Sequence, residues 1–159
     1  MKILITDRNG IENLSLKPFE VPSALISITD YEYSFANLKY KPKYILQLAF
    51  DDVPVGDGFE EEYGRQLNPN EIKQLEYRFH SISEEQTNEL ISFYNKVKSK
   101  VELMICQCEH GQSRSAAIAA AFSEDAYGNA IGIFSDDRYY QSNKGLGYLC
   151  GVYLEEYLK

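Results

Sequence analysis

Four short apolar or β-branched runs, each closed by a polar or turn cluster, have the pattern of mostly buried strands: Ile3-Leu4-Ile5, Ala24 to Ile28, Tyr44 to Phe50 and Glu102 to Cys106. Between the third and fourth runs, Pro54, Gly56, Gly58, Gly64 and Pro69 punctuate a polar loop that precedes two helical stretches. Asn68-Pro69-Asn70 predicts a helix start, with proline at an early position, and a helix running to about Phe79. Ser83-Glu84-Glu85-Gln86 predicts a capping box, followed by Leu90, Phe93, Tyr94 and Val97 on one face. From Ser115 the chain runs through Ala116 to Phe122 and reaches Gly128, a C′ glycine. Being apolar on nearly all sides, this third helix is expected to be buried. A last amphipathic helix is expected with Leu146, Leu149, Cys150, Tyr153 and Tyr157. Strands alternating with helices predict an α/β fold with a central, mostly parallel sheet flanked by helices, and no repeat or long linker divides the single domain expected over 1–159.

Charge narrows the classes of partner. Lys+Arg total 16 against 24 Asp+Glu, a formal charge of −8, and no basic cluster occurs, so nucleic acid and anionic membrane are not expected as partners. Met1 to Asp7 holds only a three-residue apolar run, and no later run approaches the roughly 18 residues of a membrane span, which predicts a cytoplasmic protein. Three cysteines, Cys106, Cys108 and Cys150, are an odd and sparse set, so reduced thiols are expected. A Cys106–Cys108 disulfide on a strand would be strained, and Cys106 reads as a small buried hydrophobe. Only His80 and His110 are available as imidazole ligands, neither in a spaced cluster, so no metal and no organic cofactor is expected.

The segment Cys108-Glu109-His110-Gly111-Gln112-Ser113-Arg114-Ser115 falls where a strand ends and a helix begins, a junction at which backbone N–H groups converge on an anion. A cysteine at its base lies in the positive field of the helix terminus, which favours the thiolate. The larger gain for phosphoryl transfer comes from in-line positioning and from sulfur as a leaving group. Arg114 supplies a planar fork for two phosphoryl oxygens, Ser115 a hydroxyl within reach of sulfur, and Gly111 a turn without a Cβ clash. With Gly and Ser/Thr required in register, the chance of such a loop on composition falls below roughly one in a thousand.

This loop resembles the C-x-x-G-x-S-R-S signature of the cysteine-based protein tyrosine phosphatases, nearest the compact dual-specificity branch. The resemblance is strong over about 103–122 and topological elsewhere. It implies a Cys nucleophile that becomes phosphorylated, an Arg that binds phosphate, a separate Asp as general acid, and no metal. By position these are Cys108 as nucleophile, Arg114 as clamp and Ser115 as the hydroxyl that aids thiolate departure. Most family members carry His immediately before the nucleophile; here Gln107 stands there, a neutral amide in its place.

In compact members of the family that the loop resembles, the general acid follows the strand two elements before the loop, and here Asp51-Asp52 follows Tyr44 to Phe50. Asp52 fits best and Asp51 is the alternative, with Asp57, Asp136 and Asp137 further away; a plain solvated strand end is the bland reading of the pair. Glu109 and Gln112 in the variable loop positions are expected to repel additional phosphates, which favours a single aryl or alkyl phosphate monoester. His110 is expected to border the pocket mouth. The run Phe59-Glu60-Glu61-Glu62 reads as a solvated loop whose nearness to the acid permits a role in choosing substrate, and Tyr31, Tyr33, Tyr40, Tyr139 and Tyr140 as half-buried fillers in a Trp-free chain.

The expected function is hydrolysis of a phosphorylated protein at phosphotyrosine, or of a small aryl or alkyl phosphomonoester, through a phosphocysteine. A catalytically inactive phosphate-binding module and a rhodanese-type sulfurtransferase are the alternatives, and Arg114 and Ser115 in register favour phosphate chemistry over persulfide. Neither the natural substrate nor the oligomeric state is legible in the sequence.

Overall fold

The computed structural model describes residues 1–139. The expected C-terminal helix, with Cys150, and Tyr140 lie outside them. Strands β1 (Lys2–Thr6), β2 (Ser23–Thr29), β3 (Tyr44–Ala49) and β4 (Leu103–Gln107) form one sheet in the order β1-β4-β2-β3, with every neighbouring pair parallel. Parallel pairing places all four C-terminal strand ends on one edge, where α/β folds of this kind carry their ligands. Helices α1 (Arg8–Glu12), α2 (Gly58–Tyr63), α3 (Pro69–Phe79), α4 (Glu84–Val97), α5 (Arg114–Tyr127) and α6 (Ile131–Phe134) complete the described elements, with a 3-10 turn at Lys17–Glu20. None of the described helices is long and apolar enough to cross a membrane.

The two faces of the sheet are covered unequally. On one, Ala24, Ile26, Ile28, Met104 and Cys106 pack beneath α4 and α5, whose Leu90, Tyr94, Val97, Ile118 and Phe122 are buried. Alanines at 116, 117 and 119–121 let α5 lie close over the sheet, and the Tyr94 ring stacks on Phe122 with centroids 3.9 Å apart. The opposite face is a smaller cluster of Leu25, Ile105, Ile11 and Ala36, flanked by Leu14 and Phe19. Strand β2, central and buried along its whole length, is therefore a continuous apolar run and not an alternating one.

Local signals act as their chemistry requires. Asn68 and Ser83 each close a capping box, with Glu71 and Gln86 returning to the cap N–H groups, and Gly128 takes the left-handed conformation that ends α5. Two expectations fail. The 59–62 run is helical, with Phe59 buried beside Phe79 at a ring separation of 6.5 Å, because one apolar residue in an otherwise acidic segment is enough to dock it. Tyr31, Tyr33 and Tyr40 are exposed, Tyr33 at 72%, since the connection between β2 and β3 runs over the surface with only Ala36 and Pro42 buried; Tyr139 is half-buried.

The loop after β4 crosses the end of β1. Gly111 has φ +65°, and a Cβ there would sit 2.9 Å from the backbone N of Asp7 and C of Thr6, so both conformation and space require glycine. Gly111→Ala is expected to cost about 2 kcal/mol or more and to displace the loop, read as a lowered Tm. A second prediction concerns α4 and α5. Around the Asp125 carboxyl, desolvation opposes ionisation, but hydrogen bonds from Lys98 Nζ (3.0 Å) and Tyr94 Oη (2.8 Å) outweigh it and hold the group below its ordinary range. A depressed carboxyl stabilises the fold above the unfolded value and loses that contribution as pH falls through the folded one. Asp125→Asn is thus expected to cost about 1 kcal/mol at pH 7 and progressively less below about pH 4, by urea denaturation; a pH-independent difference contradicts this pairing.

Candidate active site

Strand β4 ends at Gln107, whose fully buried amide accepts from Ser27 Oγ at 2.6 Å and donates to the Cys108 carbonyl at 3.0 Å. The position that carries His in the resembled family is thus filled by a residue that ties the base of the loop to β2. Cys108 is 2% exposed, and its Sγ lies 3.0 Å from Ser115 Oγ on the first turn of α5. Two residues earlier, Cys106 is a free thiol in the core, and burial pushes its ionisation upward.

Arg114 is the first residue of α5 and is only 3% exposed. One terminal nitrogen, Nη1, donates to the Phe50 carbonyl at 2.7 Å and pairs with Asp30 Oδ1 at 2.8 Å. Its Nε is buried with no partner, the sole such side-chain atom among the described residues. An unsatisfied buried donor on a cation is costly unless an acceptor occupies the space it faces. Helix α5 is also uncapped by any side chain, because the Ser113 hydroxyl at its N-cap donates instead to Asp52 Oδ1 at 2.8 Å. First-turn N–H groups and the Arg114 guanidinium therefore converge on the loop from one side, an arrangement suited to an oxyanion.

The adjacent carboxylates point to different places. Asp51 accepts from the Tyr31 backbone N–H at 3.1 Å and lies 3.5 Å from His80 Nδ1, while the His80 ring stacks on Tyr31. Asp52 faces the loop and lines a cavity of about 560 Å³ with Cys108, His110, Gln112, Ser113 and Arg114. The far wall is apolar and aromatic, built from Val53, Pro54, Phe59, Tyr63 and Phe79, with Glu62 at the margin. Asp57 sits at the start of α2 and does not line this cavity, and Asp136 pairs with Arg138 beside β1, with Asp137 next to it in sequence. Among the described residues no group of three or more His, Cys, Asp or Glu is placed to hold a metal ion.

Glu109 departs from its expected role. Its carboxylate is engaged by Arg8 Nε at 2.7 Å and its carbonyl accepts from the Arg8 N–H, so the side chain is drawn behind the loop, neutralised and off the cavity lining. It cannot repel additional phosphates there. Arg8 also reaches Thr29 Oγ1 and the Ser34 carbonyl, and the Glu109 hydrogen bond raises the proton affinity of its guanidinium. The sequence singles out neither Asp30 nor the α3 wall, and it points to the 59–62 run only by its nearness to the acid. For Asp30 a signal existed, since it ends a strand on the same sheet edge as Asp51-Asp52; the aromatic wall had none beyond the spacing of Phe59, Tyr63 and Phe79.

No known family profile matches the chain, and no curated protein matches it significantly. Among solved structures, six chains match, one of them from the crystal structure of PTPMT1 in complex with PI(5)P. It is 14% identical, has a TM-score of 0.50, and the match covers 99% of this chain and 90% of that one. At that identity the likeness concerns the fold. Together with the all-parallel sheet and its flanking helices, it shows that this chain shares the α/β fold of that phosphatase structure.

Proposed function

We propose that this protein hydrolyses phosphate monoesters, phosphotyrosine or a similar aryl or alkyl phosphate, through a phosphocysteine at Cys108. The observation that carries this reading is the meeting of Cys108, the unpartnered Nε of Arg114 and the Asp52 carboxyl on one cavity. The phosphoryl group lies in the loop 108–114, with the backbone N–H groups of Glu109, His110, Gly111, Gln112 and Ser113 and the free face of Arg114 on its equatorial oxygens. The Cys108 thiolate attacks phosphorus in line. The P–O bond breaks with its electron pair on the leaving oxygen, which takes the proton of Asp52. Asp52, now a carboxylate, accepts a proton from water as that water attacks phosphorus. The P–S electrons return to sulfur, where the Ser115 hydroxyl, 3.0 Å away, stabilises the departing thiolate. The cavity beyond the loop favours an aromatic leaving group, since three rings border it. No metal takes part in these steps.

Hydrolysis of p-nitrophenyl phosphate in the presence of EDTA tests the reading. Cys108→Ser is expected to abolish turnover and Arg114→Ala to lower kcat/KM about 10³-fold or more. Phosphate binding without hydrolysis by the wild type would contradict it and favour a binding module; thiosulfate:cyanide transfer would favour a sulfurtransferase.

A further prediction separates the two carboxylates. Asp52→Asn is expected to lower kcat about 10²- to 10⁴-fold, whereas Asp51→Asn, turned toward Tyr31 and His80, lowers it less than about ten-fold. The reverse order assigns the acid to Asp51. With Ser115→Ala, pre-steady-state kinetics are expected to show a p-nitrophenol burst followed by slow turnover.

A further inference from the structure

The charge around the cavity is uneven in a way the phosphate chemistry does not use. Among the described residues Arg114 is the one Lys or Arg that lines it, and that guanidinium is already paired with Asp30. Two cations are committed elsewhere, Arg65 to Glu71 at 3.2 Å and Arg8 to Glu109 at 2.7 Å, while Arg78 lies 5.3 Å from the centre of the Phe79 ring and does not itself line the cavity. The acids of this region are mostly occupied as well. Glu60 accepts from the Leu67 N–H and Glu76 from the Gly56 N–H, contacts that shape the 53–67 segment.

Glu62 differs from them. It lines the cavity from the last turn of α2, next to Tyr63, and among the described residues it has neither a hydrogen-bond partner nor an ion-pair partner. Arg114, 3% exposed and with a buried Nε that has no partner, lines the same cavity. A donor buried at the bottom and a free carboxylate at the margin describe a ligand with two poles, one anionic and deep, the other cationic and shallow, joined across the apolar wall of Phe59, Tyr63 and Phe79.

We infer that Glu62 is a specificity-determining residue that selects aryl phosphates bearing a positive charge beside the ring, and disfavours substrates with a second phosphate or carboxylate at that place. This rests on the phosphatase reading above. A second anion would meet the Glu62 carboxylate, with no lysine or arginine besides Arg114 lining the cavity among the described residues, whereas an ammonium or guanidinium would gain an ion pair with Glu62. The substrate class is therefore a phosphotyrosyl segment with an adjacent Lys or Arg, or a small aryl phosphate with an amine.

The test compares matched substrates that differ only in charge: phosphotyrosine peptides flanked by Lys or by Asp, and O-phosphotyramine against the phosphate ester of 4-hydroxyphenylpropionate. For the wild type, kcat/KM is expected to be about ten-fold higher for the cationic member of a pair in low salt, with the ratio shrinking as ionic strength rises. Glu62→Gln is expected to bring the ratio toward one and Glu62→Lys to invert it. A preference confined to the peptides assigns the substrate to a protein, and one of equal size in the small pair to a free metabolite; both support the selection. A wild-type ratio near one or below it in both pairs, with p-nitrophenyl phosphate still hydrolysed, overturns the inference and leaves the phosphatase reading standing. Absence of p-nitrophenyl phosphate hydrolysis overturns that reading, and the inference with it.

Discussion

The buried guanidinium of Arg114 is the constraint around which the site is organised. Removing a cation from water is expensive unless it is paired and hydrogen-bonded. Here the compensation comes from two strand ends, the Phe50 carbonyl after β3 and the Asp30 carboxylate after β2, both within 2.8 Å of Nη1. The same nitrogen therefore pins the start of α5 to the C-terminal edge of the sheet and fixes the segment that carries Asp51 and Asp52. The partners stop short of complete satisfaction. Nε remains without an acceptor, and on the proposed reading the phosphoryl oxygens complete its bonding, so the cost of burying the cation is recovered in full only with substrate bound.

Around that tie, the loop is held from three sides by interactions of different kinds. Gln107 joins its base to β2 through Ser27, and its backbone turns against β1 at Gly111, where there is no room for a Cβ. Behind it Arg8 gathers Glu109, Thr29 and the Ser34 carbonyl, linking α1, β2 and the surface connection that follows β2. With Glu109 thus drawn off the cavity, the loop lines it with Cys108, His110, Gln112, Ser113 and Arg114, and its fixed backbone N–H groups face the same junction. This is the arrangement electrostatic stabilisation needs, because donors fixed in advance need no reorganisation when charge shifts in the transition state.

Much of this was legible in the sequence because the signals were local. Buried strands in a parallel sheet read as short apolar runs, and capping boxes and a terminal glycine announce helix ends within a few residues. The loop was equally legible, since its residue types are spaced within a single strand–helix junction. What was not legible depends on distant pairing. Glu109 reads as a repulsive charge until Arg8, near the other end of the chain, is brought against it. Asp30 gains meaning only once β2 and β3 lie side by side beneath Arg114. The 59–62 run looks solvated on its own, and becomes a cavity wall because Phe59 and Phe79 meet. Between Asp51 and Asp52, adjacent positions at a strand end point to opposite sides, so one reaches Tyr31 and His80 while the other reaches Ser113.

The measurement that tests the central claim most directly is acid-quench trapping of the enzyme during turnover, followed by peptide mapping. The account predicts one phosphoryl group per chain, attached to sulfur on the peptide that contains Cys108, and its accumulation when Ser115 is replaced by alanine. Turnover with no trapped phosphoenzyme in either form, or with phosphate on His110, would contradict it.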